Sequence, residues 1–203
     1  MTSRFSLLTC LIPALCLLSV ILPNSLQADW VEDAVTDIRG KYNQIEGANM
    51  QSNRIAWESD QEPASGTLVK YFSNGSVAKI HFSFAEGDHG GSDEYYYYWN
   101  GQLFFSFVTQ SYWKFSGQTL ANGESGTTDI AVEHRLYFSN GSLIRHLKKE
   151  AESANASALS GILAKKDNQN YQDLDLSNAV LSRGTRAPSV SNGSGIENLM
   201  FGQ

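Results

Sequence analysis

The heptapeptide Tyr-Phe-Ser-Asn-Gly-Ser-Val at residues 71–77 returns as Tyr-Phe-Ser-Asn-Gly-Ser-Leu at 137–143. A third copy, Tyr-Tyr-Trp-Asn-Gly-Gln-Leu, spans 97–103. Asn-Gly between alternating apolar runs selects a two-residue type I′ turn, because both central residues need positive φ. The chain is thus expected to form three β-hairpins, turning at Asn74-Gly75, Asn100-Gly101 and Asn140-Gly141. A two-residue turn sets the register of its strands. An unbroken ladder pairs Phe72 with Val77, Tyr71 with Ala78, Lys70 with Lys79 and Val69 with Ile80. In the third hairpin it pairs Phe138 with Leu143, Tyr137 with Ile144 and Glu133 with Lys148. The lysine pair would be mildly unfavourable and the Glu133–Lys148 pair favourable. In the middle hairpin Tyr96, Tyr98, Leu103, Phe105 and Phe107 share one face. Tyr95, Tyr97, Trp99 and Phe104 share the other. Both faces are apolar, as in a strand pair covered on both sides.

The rest of the chain supplies the cover. Val31, Val35, Ile38, Tyr42 and Ile45 recur at helical spacing, so Asp29 to Glu46 reads as one amphipathic helix. Residues 52–58 and 66–72 alternate as strands, and 108–115 prolongs the middle hairpin. Residues 117–129 read as a polar connector. Ala151 to Lys166 reads as a helix with Ala158, Leu159, Ile162 and Leu163 along one edge. Beyond it the chain is rich in Gly, Ser and Asn, the composition of a loosely ordered or disordered tail over 167–203. The fold class expected is α+β: an N-terminal helix packed on an antiparallel meander of about seven strands, then a C-terminal helix and the tail. Residues 29–166 form the one domain.

Residues 1–28 stand apart. Arg4 precedes an apolar run, Phe5 to Leu22, and a polar exit ends on Ala28. This is the layout of a cleaved secretory signal peptide, with an uncleaved membrane anchor as the alternative. Both cysteines, Cys10 and Cys16, lie inside it, so the exported chain would have no thiol, disulfide or cysteine nucleophile. The expected location is secreted or periplasmic, in a bacterial envelope. Lys plus Arg number 15 against 21 Asp plus Glu, a net charge of −6. That balance excludes nucleic acid as the natural partner, since phosphate binding needs a basic footprint. Four Asn-x-Ser triplets begin at Asn74, Asn140, Asn155 and Asn192. The first two are turn residues of the hairpins.

The three Tyr-(Phe/Tyr)-x-Asn-Gly-x-(Val/Leu) segments resemble MORN-variant repeat proteins of bacteria. Residues 30–150 also resemble bacterial envelope proteins with tyrosine-rich Asn-Gly hairpins. The resemblance implies a stacked hairpin sheet with a binding surface and implies no catalytic residues. The unequal spacing of the turns departs from a regular repeat array.

Two regions carry chemistry. Residues 95–115 hold eleven aromatics. One face of that hairpin must be core. The other, lined by Tyr95, Tyr97, Trp99 and Phe104, would bind a glycan or an envelope protein, because Tyr and Trp join apolar area to a polar tip. The competing reading is that a helix covers it. The second region, Glu86 to Glu94, gathers carboxylates among glycines. Asp88, Asp93 and Glu94 are its candidate metal ligands, with calcium the ion such oxygens suit. The competing reading is a solvated acidic loop. In the unbroken register His134 and His146 point to opposite faces, so they would not share an ion. No nucleophile elbow, phosphate loop or zinc-protease motif occurs. The function expected is a non-enzymatic binding or interaction protein. A hydrolytic or metal-dependent enzyme built on the acidic loop, and a purely structural envelope protein, are the alternatives.

Overall fold

In the computed structural model, residues 24–60, 62–88 and 90–202 are described, with side chains from Asp29 onward. The apolar segment and its cleavage site at 1–28 lie outside the described side chains, as does His89. The first helix, α1 (Asn24–Glu46), begins earlier than its apolar periodicity indicates. Eight antiparallel strands follow as a meander in strict sequence order. These are β1 (Gln51–Glu58), β2 (Ala64–Ser73), β3 (Ser76–Glu86), β4 (Gly90–Trp99), β5 (Gln102–Thr119), β6 (Ser125–Ser139), β7 (Ser142–Ser153) and the short β8 (Gln169–Asn170). Helix α2 (Ala156–Ala164) separates β7 from β8. Helix α3 (Leu174–Arg186), a 3₁₀ turn (Ala187–Ser189) and helix α4 (Gly193–Phe201) end the chain. The class is α+β, with one open sheet.

The three Asn-Gly turns form as their sequence demands. Asn74, Asn100 and Asn140 lie at φ near +50°, and each following glycine lies at +73° to +77°. The ladders beyond them are not unbroken. Each hairpin shifts register at the same place, between Tyr71 and Phe72, Tyr97 and Tyr98, and Tyr137 and Phe138. The inserted residues are Ala78, Phe104 and Ile144, each third after its turn glycine. A bulge places two residues against one and flips the parity of everything beyond it. Lys70 therefore faces Ile80, not Lys79, and Tyr71 takes Lys79. Glu133 pairs with Lys149 and His134 with Lys148. Phe105 and Phe107 join Phe104 on one face, instead of siding with Tyr96 and Tyr98.

Each sheet face has its own cover. Val35, Ile38 and Ile45 of α1 bury Ala78, Tyr97, Phe104, Phe105 and Tyr137. Farther along that face, Leu159 and Leu163 of α2 pack on Ala131 and Ala151. The opposite face carries Leu68, Ile80, Phe82, Tyr96, Tyr98, Leu103, Leu136 and Phe138. Val180, Ala187, Val190, Ile196 and Leu199 close over it. The tail expected over 167–203 is thus, from Asp173 to Gly202, the lid of the larger core. Its polar residues are caps rather than a sign of disorder. Asp173 accepts from the Leu176 amide at 2.9 Å, and Asn192 from the Gly195 amide at 2.9 Å. Asn155 caps α2 in the same way. Each cap satisfies an amide that the first helical turn leaves open. Gly184 lets α3 approach the sheet, because a Cβ there would stand 2.7 Å from the Tyr96 ring and 2.8 Å from Leu103. The connector expected over 117–129 is mostly strand, and only 120–124 turns.

Candidate functional site

Alternation along β4 sends Tyr95, Tyr97 and Trp99 to the α1 side of the sheet, and the bulge adds Phe104 and Phe105. The structure does not keep the four candidate ligand residues on one open platform. Tyr97 and Phe104, at 3% and 6% exposure, lie beneath α1. The Tyr97 hydroxyl donates to Glu46 Oε1 at 2.8 Å, and Lys79 Nζ reaches the same oxygen at 2.6 Å. Burial alone would raise the Glu46 carboxyl; the bonds from Lys79 and Tyr97 outweigh it and lower its pKa. Burial raises the Tyr97 hydroxyl. Trp99 is half-buried at the turn end of the sheet, with Lys41 Nζ 5.8 Å from its ring centroid.

Tyr95 belongs to a row that α1 leaves half-open. Val69, His81, Tyr95, Phe107 and Arg135 lie directly opposite one another on successive strands β2 to β6. The His81 and Tyr95 rings stack with centroids 4.2 Å apart and planes 6° apart. Tyr95 and Phe107 are 6.2 Å apart, and the Arg135 guanidinium sits 4.9 Å from the Phe107 centroid. The stacked His81 and Tyr95 rings therefore cover one face of each other. Between it and α1 runs a groove of about 310 Å³, walled by Tyr42, Phe105, Phe107 and Tyr137, with Arg39 and Arg135 at its margins.

The acidic candidates do not converge. Residues Gly90 to Glu94 are strand, not loop, so Asp93 and Glu94 face opposite sides of the sheet. Asp93 Oδ1 lies 2.7 Å from His81 Nε2 on the open side. Glu94 is fully buried under α3. It accepts from Arg183 Nε at 2.9 Å and Nη2 at 2.5 Å, and from the Tyr96 hydroxyl. Burial opposes the Arg183 charge, but Glu94 beside it wins and raises the guanidinium further. Asp88 sits in the β3–β4 turn, where its carbonyl accepts from Trp113 Nε1 at 2.9 Å. Among the described residues no three His, Cys, Asp or Glu side chains gather as a metal site. A cleft of about 500 Å³ does open beside Glu94 and Arg183, bordered by Gly90, Gly91 and Ser92.

One cluster was hidden from the unbroken register. The third bulge brings His134 and His146 to the same face, with Nδ1 of His134 2.9 Å from Nε2 of His146. Both are buried, and His146 Nδ1 has no hydrogen-bond partner among the described residues. Burial first, then the neighbouring His146 and Lys148, lowers His134 to about 4; burial lowers His146 too. Tyr171 closes over both rings, at 5.9 and 5.1 Å, and its amide donates to the His146 carbonyl at 2.9 Å. The pair pins the segment that leads from β8 into α3.

Comparison with protein-family models, with curated proteins and with solved structures finds no match to this chain.

Proposed function

We propose that this protein is a non-catalytic binding module that works from the α1 side of its sheet. One observation carries the reading. Beyond the rings that α1 buries, the same face leaves His81, Tyr95 and Phe107 half-open, and Phe107 joins Tyr42, Phe105 and Tyr137 in walling a groove of about 310 Å³. Concave, ring-lined sites of this size with a few convergent polar groups are typical of small-ligand binding. Glycans and envelope proteins are the partners suggested by the aromatic sequence. The stacking within the His81–Tyr95–Phe107 row favours an occupant held in the groove over a flat sugar laid on the rings.

The reading also places the working protein outside the cytoplasm, after cleavage behind Ala28. The packing of α1 is compatible with that cut, since among the described residues its first side chain against the sheet is Val31. The test is chemical-shift mapping of the full chain against cell-wall glycan fragments, short peptides and aromatic fragments. Binding should move Tyr42, Phe107 and Arg135. If shifts instead gather around Glu94, Arg183 and Ser92, the enzyme alternative at the other cleft replaces this one. If no member of the set moves the groove, the binding-module reading fails.

A further inference from the structure

The charges around the groove narrow its occupant, given the binding-module reading on which this step rests. The chain is acidic overall, yet this margin is cationic. Arg135 Nη1 and Lys149 Nζ each lie 3.1 Å from the same Glu133 oxygen, so one carboxylate serves two cations. Arg135 is further fixed by a 2.7 Å bond to Asn168 and by the Phe107 ring beneath it. Across the groove, Arg39 makes no hydrogen bond or ion pair among the described residues. Its charge is felt by Glu32, which is already bonded to Arg145. One pre-positioned guanidinium and one unpaired guanidinium thus flank a ring-lined hollow. A planar guanidinium fork matches a carboxylate, and an aromatic wall matches an apolar body.

We infer that the groove between α1 and the β5–β6 pair binds a small aromatic carboxylate. Its ring lies against Tyr42, Phe105 and Phe107, and its carboxylate bridges Arg39 and Arg135.

The test uses the full chain with two probes of nearly equal shape, 3-phenylpropionate and the neutral 3-phenylpropanol. Affinity is measured by calorimetry and position by aromatic chemical shifts. The carboxylate should bind about tenfold or more tighter than the alcohol, the range expected for a hydrogen bond to a charged group. Its affinity should fall between low and high salt. Arg39→Gln should abolish most of the difference with little change in the thermal midpoint, because Arg39 makes no hydrogen bond or ion pair among the described residues and its charge acts only at a distance on exposed Glu32. Arg135→Lys keeps the charge but loses the fork, and should weaken the carboxylate alone. Equal affinities for the two probes, both moving Tyr42 and Phe107, would overturn the carboxylate assignment and leave the binding module standing. Failure of both probes to move those rings would overturn the aromatic-carboxylate assignment, and the glycan and peptide arms of the mapping would then decide the binding module.

Discussion

The two faces of one sheet are finished differently. On one, α3, the 3₁₀ turn and α4 seal Leu68, Ile80, Phe82, Tyr96 and Leu136, and the Glu94–Arg183 pair ties α3 to the sheet at the edge of the seal, beside the cleft of about 500 Å³. On the other, α1 crosses near the turn ends and α2 sits on β6 and β7, leaving the His81–Tyr95–Phe107–Arg135 row half-open between them. Both faces are comparably aromatic in sequence. The cover, not the strand composition, decides which face is core and which is surface. Stability should therefore depend chiefly on the sealed face, and recognition on the open one.

The strongest way to break that comparison is to remove the seal. Ending the chain at Asp167 deletes α3 and α4 and bares the larger core. The expected product has strand content by far-ultraviolet dichroism, binds hydrophobic dye and lacks a cooperative unfolding transition. A truncated chain that still melts cooperatively would make the C-terminal helices an accessory. Next in size is Arg183→Met. It leaves the Glu94 carboxylate buried with, among the described residues, only the Tyr96 hydroxyl, and breaking a buried pair in this way costs about 3–5 kcal/mol. Denaturant midpoints measure it, and adding Glu94→Gln should recover part of the loss.

The histidine pair gives a milder test of the same seal, through the segment it pins. His134 is held near 4 by burial and by its neighbours, against about 6.5 in an unfolded chain. Its folded-state value is the lower one. Its contribution is therefore present above pH 6.5 and is lost as pH falls toward 4. By pH 5 the cost is about 2 kcal/mol from His134 alone, a fall of roughly 4–8 °C in the midpoint for a chain of this size. The double variant His134→Leu with His146→Leu should flatten the profile between pH 7 and 5. A wild-type profile that is already flat there would mean the pair is not held neutral.

How much of this was legible in the residues divides along the same physical line. Local rules read well. The three turns, the α1 stripe and the double-sided β4–β5 hairpin follow from Asn-Gly chemistry and periodicity. Parity did not read well, because a bulge is one residue long and leaves no mark in the alternation until the partner strand is known. One such residue, Phe104, moved Phe105 and Phe107 to the α1 face, and another, Ile144, brought His134 against His146. The C-terminal seal was obscured for a different reason. Asp173 and Asn192 begin short helices whose apolar content is modest, so their polarity resembles a linker until the caps are seen. The acidic ligands were misplaced because Gly90 and Gly91 suggest a loop. In the sheet they are strand residues, and there a Cβ on Gly91 would stand 2.8 Å from the Phe84 carbonyl oxygen.

The finest comparison lies between two neighbouring residues of β4. Tyr97 points to the open face and donates to Glu46 on α1 at 2.8 Å; Tyr98 points to the sealed face and donates to the Gly184 carbonyl of α3 at 2.6 Å. Tyr→Phe removes one hydroxyl from each and nothing else. After Tyr98→Phe the Gly184 carbonyl loses that side-chain donor in a buried site, while α3 keeps its place through Val180 and Leu181. An acceptor stripped of a partner away from water costs about 1–3 kcal/mol. After Tyr97→Phe the Glu46 oxygen still has Lys79 at 2.6 Å and is partly exposed, so water can replace the phenol. The cost there should be about 0.5–1 kcal/mol. Paired denaturant titrations of the two variants measure the difference. A larger loss at Tyr98 means the sealed face carries the greater share of stability at the level of a single hydroxyl. Equal losses, or a larger one at Tyr97, would mean that α1 binds its face as tightly as α3 binds the other, and the open face would then be as rigid as the core behind it.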